Sequence, residues 1–131
     1  IKDLTLNINL NAYTHNDYVG GFIAYSAGEN KTTLTNCHFE KLIIVDYKTD
    51  SLNNITYGNQ TIIGGYIGYA ENSVDIYNST IKAFDGSYYI HSQAKSNQEQ
   101  ITSGYIGGVV GVFNGKTLEI SGIKVPEINR M

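Results

Sequence analysis

Apolar and polar positions alternate in this chain in short runs with a period of two, the pattern of β-strands with one buried face. Three of the runs contain a Gly-Gly pair: "YVGGFIAYS" at Gly20-Gly21, "IIGGYIGYA" at Gly64-Gly65 and "YIGGVVGVF" at Gly107-Gly108. The pairs lie 44 and 43 residues apart. Glycine inside a strand costs stability and marks a bend or a close backbone approach, so its return at one phase points to a repeated unit. Downstream, "LTNCHFEK", "IYNSTIKA" and "LEISGIKV" align without gaps. That alignment makes one column of Leu34, Ile76 and Leu118 and another of Phe39, Ile81 and Ile123, each spaced by 42 residues. The opening "IKDLTLNI" matches the closing "IKVPEINR", which places Ile1 in the Phe39 column.

A period in the range of roughly 20 to 50 residues is that of solenoids, propellers and arrays. The pattern predicts an all-β fold, a parallel β-solenoid of about three coils with long polar loops. Its copies span approximately 17–60, 61–102 and 103–131, after a partial coil at 1–16. The first strand of each copy is the Gly-Gly segment, and a second strand carries a bend at Asn36 and at Asn78, because asparagine tolerates the left-handed backbone of a sharp corner. Ile120 breaks that pattern in the third copy. Looser third strands are expected in "LTLNINL", "LIIVDY" and "SYYIHS", and "KTDSLNNITYGNQ" reads as a polar loop. Cys37, Ser79 and Ser121 form a column of small residues facing inward. A β-sandwich of repeated hairpins is the competing arrangement; it would want Asn-Gly or Asp-Gly turns, and Asp85-Gly86 and Asn114-Gly115 sit at different phases.

Composition agrees with strands. Among 131 residues there are 14 Gly, 11 Tyr and a single Pro, with 41% hydrophobic residues. Charged residues make up 16%, and the net charge of −3 argues against nucleic acid, which needs a clustered basic surface. No apolar run approaches the roughly 18 residues that cross a bilayer. Cys37 is alone, so no internal disulfide is expected. The chain begins and ends at one phase of its repeat, which reads as a fragment of a longer chain.

"GGFIAY…LTNCHF" and "GGYIGY…IYNSTI" resemble the GLUG repeat, a Gly-Gly-Leu-Val-Gly core followed later by Ile-x-Asn-Cys. Ala24 departs from it in the first copy, and Ile120-Ser121 replaces Asn-Cys in the third. The resemblance implies a right-handed β-helix in a large secreted or surface-anchored protein such as an adhesin, and it brings no catalytic residues.

Candidate chemistry is sparse. Asp46, Asp50, Asp75, Glu29 and Glu71 scatter over turns and strands, and His15 with Asp17 in "YTHNDY" reads as a solvated turn. His38 and His91 should point outward. Catalytic residues, metal ligands and cofactors are not expected. Four sequons are candidate N-glycosylation sites, at Asn30, Asn54, Asn59 and Asn78, with Asn78 also needed at its corner. Alternation on the Gly-Gly strand turns Phe22, Tyr66 and Val109 outward as a candidate contact ladder for sugars or protein; covered by loops, the same column would be secondary core. The expected role is a noncatalytic extracellular or cell-surface stalk, adhesin or fibre segment. Its partners would be further coils of the same parent, copies of itself or glycans. The alternative is a carbohydrate-binding or carbohydrate-active β-helix whose active residues lie elsewhere, which charged residues aligned on neighbouring coils would favour.

Overall fold

The computed structural model describes residues 1–11, 17–45, 47–57, 61–81, 88–91 and 105–122. These are all-β, and the strands that build the core pair in parallel. They run β1 (Lys2–Asn11), β2 (Tyr18–Gly20), β3 (Ile23–Ser26), β4 (Thr32–Val45), β5 (Tyr47–Thr49), β6 (Ile55–Tyr57) and β7 (Ile62–Gly64). Then come β8 (Ile67–Ala70), β9 (Val74–Tyr77), β10 (Thr80–Ile81), β11 (Tyr88–His91), β12 (Tyr105–Gly107), β13 (Val110–Phe113) and β14 (Leu118–Ser121).

Segments distant in sequence lie side by side. One sheet has the order β2-β7-β12, with Gly20 opposite Gly64 and Gly64 opposite Gly107. A second has the order β3-β8-β13, pairing Tyr25 with Tyr69 and Tyr69 with Val112. The third follows β1-β4-β9-β14, with β10 and β11 also on β4. The Gly-Gly segments are therefore parallel neighbours, in the order of their expected copies.

Each Gly-Gly segment is two strands with a bend between them. At the bend the amides of Phe22 and Ile23 both donate to the Tyr66 carbonyl, and those of Tyr66 and Ile67 both donate to the Val109 carbonyl. A methyl group at Gly64 would fall on the carbonyl of Ile67, and one at Gly65 on the carbonyl of Gly108 in the adjoining segment. The paired glycines thus allow both a tight turn within a strand and close approach between neighbours.

The core is formed by Val19, Leu34, Cys37, Phe39, Leu42, Ile44, Ile63, Tyr66, Ile67, Ala70, Val74 and Ile76. Leu34 and Ile76 are paired and buried, as their column requires. Leu118 is not in that column. It pairs with Val74 and is exposed, and Ile120 takes the place opposite Ile76. The interval from Val74 to Leu118 is 44 residues, two more than the ungapped alignment assumes. A two-residue slip leaves every side chain on its own face, so alternation cannot detect it. Ser121 consequently lies opposite Tyr77 and outside the small-residue column, in which Cys37 and Ser79 are both buried.

The true register also explains the corner. Asn36 and Asn78 have φ of 56° and 48°, and Gly122, at 65°, meets Asn78 in the third segment. Asp3, at 55°, lies beside Asn36, whose amide donates to its carboxylate at 2.8 Å. Ile1 flanks Leu34 instead of Phe39: its carbonyl accepts from the Thr35 amide, and Leu6 is the residue opposite Phe39. The backbone of Ile81 is opposite that of Phe39 as expected, whereas the Ile81 side chain, Ile123 and Asp85-Gly86 fall outside the described residues.

The expected third strands are present, with Ile8 and Tyr88 both opposite Leu42. The polar loop after them is not all loop. β5 and β6 form an antiparallel hairpin, closed by Asp50, whose carboxylate accepts from the amides of Leu52 and Asn54 at 2.8 and 2.9 Å.

Candidate functional site

The expected contact ladder lies inside the molecule. Tyr66 is completely buried, and Phe22 and Val109 pack partly buried against the core. The bend is the reason: it reverses the alternation, so the residue after each Gly-Gly pair turns inward. Tyr66 stacks on Phe22 at a centroid distance of 5.4 Å and meets the Phe39 ring edge-on at 4.9 Å. Its hydroxyl donates to the Cys37 carbonyl at 3.2 Å, which satisfies the buried phenol. Cys37 is a free, buried thiol among these groups.

The same reversal sends Tyr25 and Tyr69 towards the surface, where they meet Tyr18, which precedes the bend and faces outward by alternation with buried Val19. Tyr18, Tyr25 and Tyr69 form a surface cluster with centroid separations of 5.4, 5.0 and 5.8 Å and interplanar angles of 18°, 31° and 23°. The Tyr25 hydroxyl donates to a Glu71 carboxylate oxygen at 2.7 Å, linking two neighbouring segments. That hydrogen bond, with lesser help from desolvation and the nearby negative charge, pushes the Tyr25 hydroxyl up to about 12. Strict alternation hid this cluster. The usable signal was the recurrence of Tyr25 and Tyr69 at one phase, five residues after the first glycine of each pair.

A second group of polar side chains lies on the outside of β4, β9 and β14. Thr33, Asp75 and Glu119 are register partners there. Two carboxylates therefore align on adjacent strands, contrary to the scatter expected from the ungapped alignment. Lys31 covers Asp75 at 3.0 Å, so the buried carboxylate has its countercharge. Tyr77 donates to Glu119 at 3.4 Å, and its hydroxyl is raised by desolvation first and then by Asp75 and Glu119. Where the Gly-Gly strands turn into β4 and β9, Ser26 and Asn72 are buried together. The Ser26 hydroxyl donates to Asn72 at 2.8 Å, and the Asn72 amide donates to the Thr32 hydroxyl and the Asn30 carbonyl at 2.7 and 2.9 Å.

Of the sequon asparagines, Asn30, Asn54 and Asn78 are exposed, and Asn59 lies outside the described residues. Asn54 donates its amide to Asp50 at 3.2 Å, and Asn78 donates to Asn36 at 3.5 Å, so at these two the acceptor nitrogen holds a structural bond. His38 is half-buried and bonded to Asn36 at 2.8 Å instead of facing water freely. The His91 side chain, His15 and Asp46 are outside the description. Among the described residues there is no group of three or more His, Cys, Asp or Glu placed to hold a metal ion, and no helix long and apolar enough to cross a membrane. Compared with family models, curated proteins and solved structures, the chain gave no significant match.

Proposed function

We propose that this chain is a segment of a right-handed parallel β-solenoid of about three coils, and that it serves as a noncatalytic structural or adhesive element of an extracellular or cell-surface protein. The observation that carries the reading is the contrast between the middle and the ends of the longest sheet. Leu34 and Ile76, on the two central strands, are fully buried. Residues on the inward face of the two outer strands are not: Leu4 on β1 is 40% exposed and Ile120 on β14 is 41% exposed. Outer strands of a stack present both this apolar surface and unpaired backbone groups, which favour association with a further strand. Further coils of a longer parent or a second copy of the chain would supply it. A contact between unlike ends does not close on itself, so copies joined in this way would form an open filament. The likeness to GLUG repeats supports the location outside the cell.

Sedimentation velocity and negative-stain imaging test the assembly. Concentration-dependent growth to elongated particles is expected, weakened by Leu4→Lys or Ile120→Lys. A compact monomer at all concentrations contradicts end-to-end contact.

Carbohydrate contact is a second reading, favoured by the exposed tyrosine cluster. The aligned Asp75 and Glu119 are compatible with a carbohydrate-active relative only if groups beyond this chain complete a site, because Lys31 already neutralises Asp75.

A further inference from the structure

We propose that Tyr18, Tyr25, Tyr69 and Glu71 form a contact site for a neutral oligosaccharide. The proposal develops the carbohydrate-contact reading and requires no end-to-end assembly. Three features of the cluster carry it.

The first is exposed aromatic surface. Tyr18 is 41% and Tyr25 46% exposed, although both sit on strands whose inward neighbours are buried or packed against the core. An amphipathic ring of this kind offers an apolar face and a hydrogen-bonding tip to one ligand. The second is orientation. All three planes lie within 31° of one another. Rings stacked in this way cover part of one another's faces and hold a rigid row of ring edges and hydroxyl tips at the surface, which a hydroxyl-rich sugar chain can meet at several points. An aromatic cage for an ammonium group needs rings set steeply around one point, and this cluster lacks that geometry.

The third feature is the match of charge and hydrogen bonding. Glu71 is an exposed carboxylate at the margin of the rings, and its bond from Tyr25 fixes both side chains. A carboxylate is a strong acceptor for sugar hydroxyl donors. It repels uronates, sulfated sugars and phosphates. The pairing of stacked aromatic surface with a fixed carboxylate therefore fits hydroxyl-rich, uncharged ligands. Because the bond joins two neighbouring segments, the site is pre-organised by the same register that builds the fold, which reduces the entropy lost on binding.

Titration calorimetry and saturation-transfer NMR with cellohexaose, xylohexaose and mannohexaose test the proposal. Hexagalacturonate serves as the anionic control and hexalysine as the cationic control. At least one neutral hexasaccharide should bind, with saturation transferred from tyrosine ring protons. Tyr25→Ala should weaken it at least tenfold and Glu71→Gln severalfold, while Thr33→Ala on the other outer surface leaves it unchanged. Tyr18→Ala provides a second removal of ring surface should Tyr25→Ala fail to fold, and circular dichroism checks each variant. The proposal is overturned if no neutral hexasaccharide binds, if binding survives in a folded Tyr25→Ala or Tyr18→Ala variant, or if hexalysine alone binds. Loss of self-association with binding retained would sink the filament reading and leave this site standing.

Discussion

Replacing Tyr66 by alanine separates an interior role from a surface role most sharply. The side chain is fully buried between Phe22 and Phe39, and its hydroxyl reaches the Cys37 carbonyl. A buried aromatic of this size removes about 150–250 Å² from water. At about 25 cal/mol per Å² that corresponds to roughly 4–6 kcal/mol, close to the 3–5 kcal/mol typical of aromatic-to-alanine changes in cores. The loss is a large fraction of the roughly 5–15 kcal/mol that holds an ordinary domain together. Tyr66→Phe keeps the ring and forfeits only the hydrogen bond, about 1 kcal/mol. Tyr25→Ala at the surface should cost much less than Tyr66→Ala, because its ring is already 46% exposed. Urea unfolding followed by far-ultraviolet circular dichroism gives all three values. A Tyr66→Ala variant within about 1 kcal/mol of wild type would refute the inward placement of this residue and the bend that produces it.

Gly65→Ala would drive a methyl group into the Gly108 backbone. It should lower the urea midpoint by the equivalent of about 1–3 kcal/mol or more, whereas Ala24→Gly, at the exposed position that matches Gly68 and Gly111, should change it little. At the corner, Asn78→Ala should cost about 1–2 kcal/mol more than Asn78→Gly, because both lose the amide bond to Asn36 and only alanine is strained at φ of 48°. In an alkaline titration, the Tyr25 phenol should ionise near pH 12, and Glu71→Gln should return it towards 10. The Tyr25 hydroxyl holds its proton more tightly when folded, so its contribution is complete below pH 10 and disappears as the pH rises from 10 through 12. A profile unaffected by Glu71→Gln would remove the bond between Tyr25 and Glu71 from the account.

The strands were legible from local alternation, and their parallel order from the return of Gly-Gly and apolar positions every 42 to 44 residues. Asn36 and Asn78 were readable as corners from their backbone tolerance alone, and Cys37 as buried from the small residue at its matching position. Two features escaped. One was the third-segment register: Leu118 and Ile120 are both apolar, both fit the period of two, and only the left-handed Gly122 distinguishes the alignments. The other was the side of the sheet on which Tyr66 and Tyr25 emerge, because a bend at Gly-Gly inverts alternation without altering composition. The tyrosine cluster was lost with that second error. The Asp75 and Glu119 alignment was lost with the first.

The central claim is that positions 42 to 44 residues apart are parallel neighbours. Nuclear Overhauser spectroscopy on the isotopically labelled chain tests it directly. Side-chain contacts should join Val19 to Ile63, Leu34 to Ile76 and Ile76 to Ile120, with amide contacts linking the three Gly-Gly segments in parallel register. Strong α-proton to α-proton contacts between those segments would reveal antiparallel pairing, and either that result or the absence of all three side-chain contacts would contradict the structure on which every functional conclusion rests.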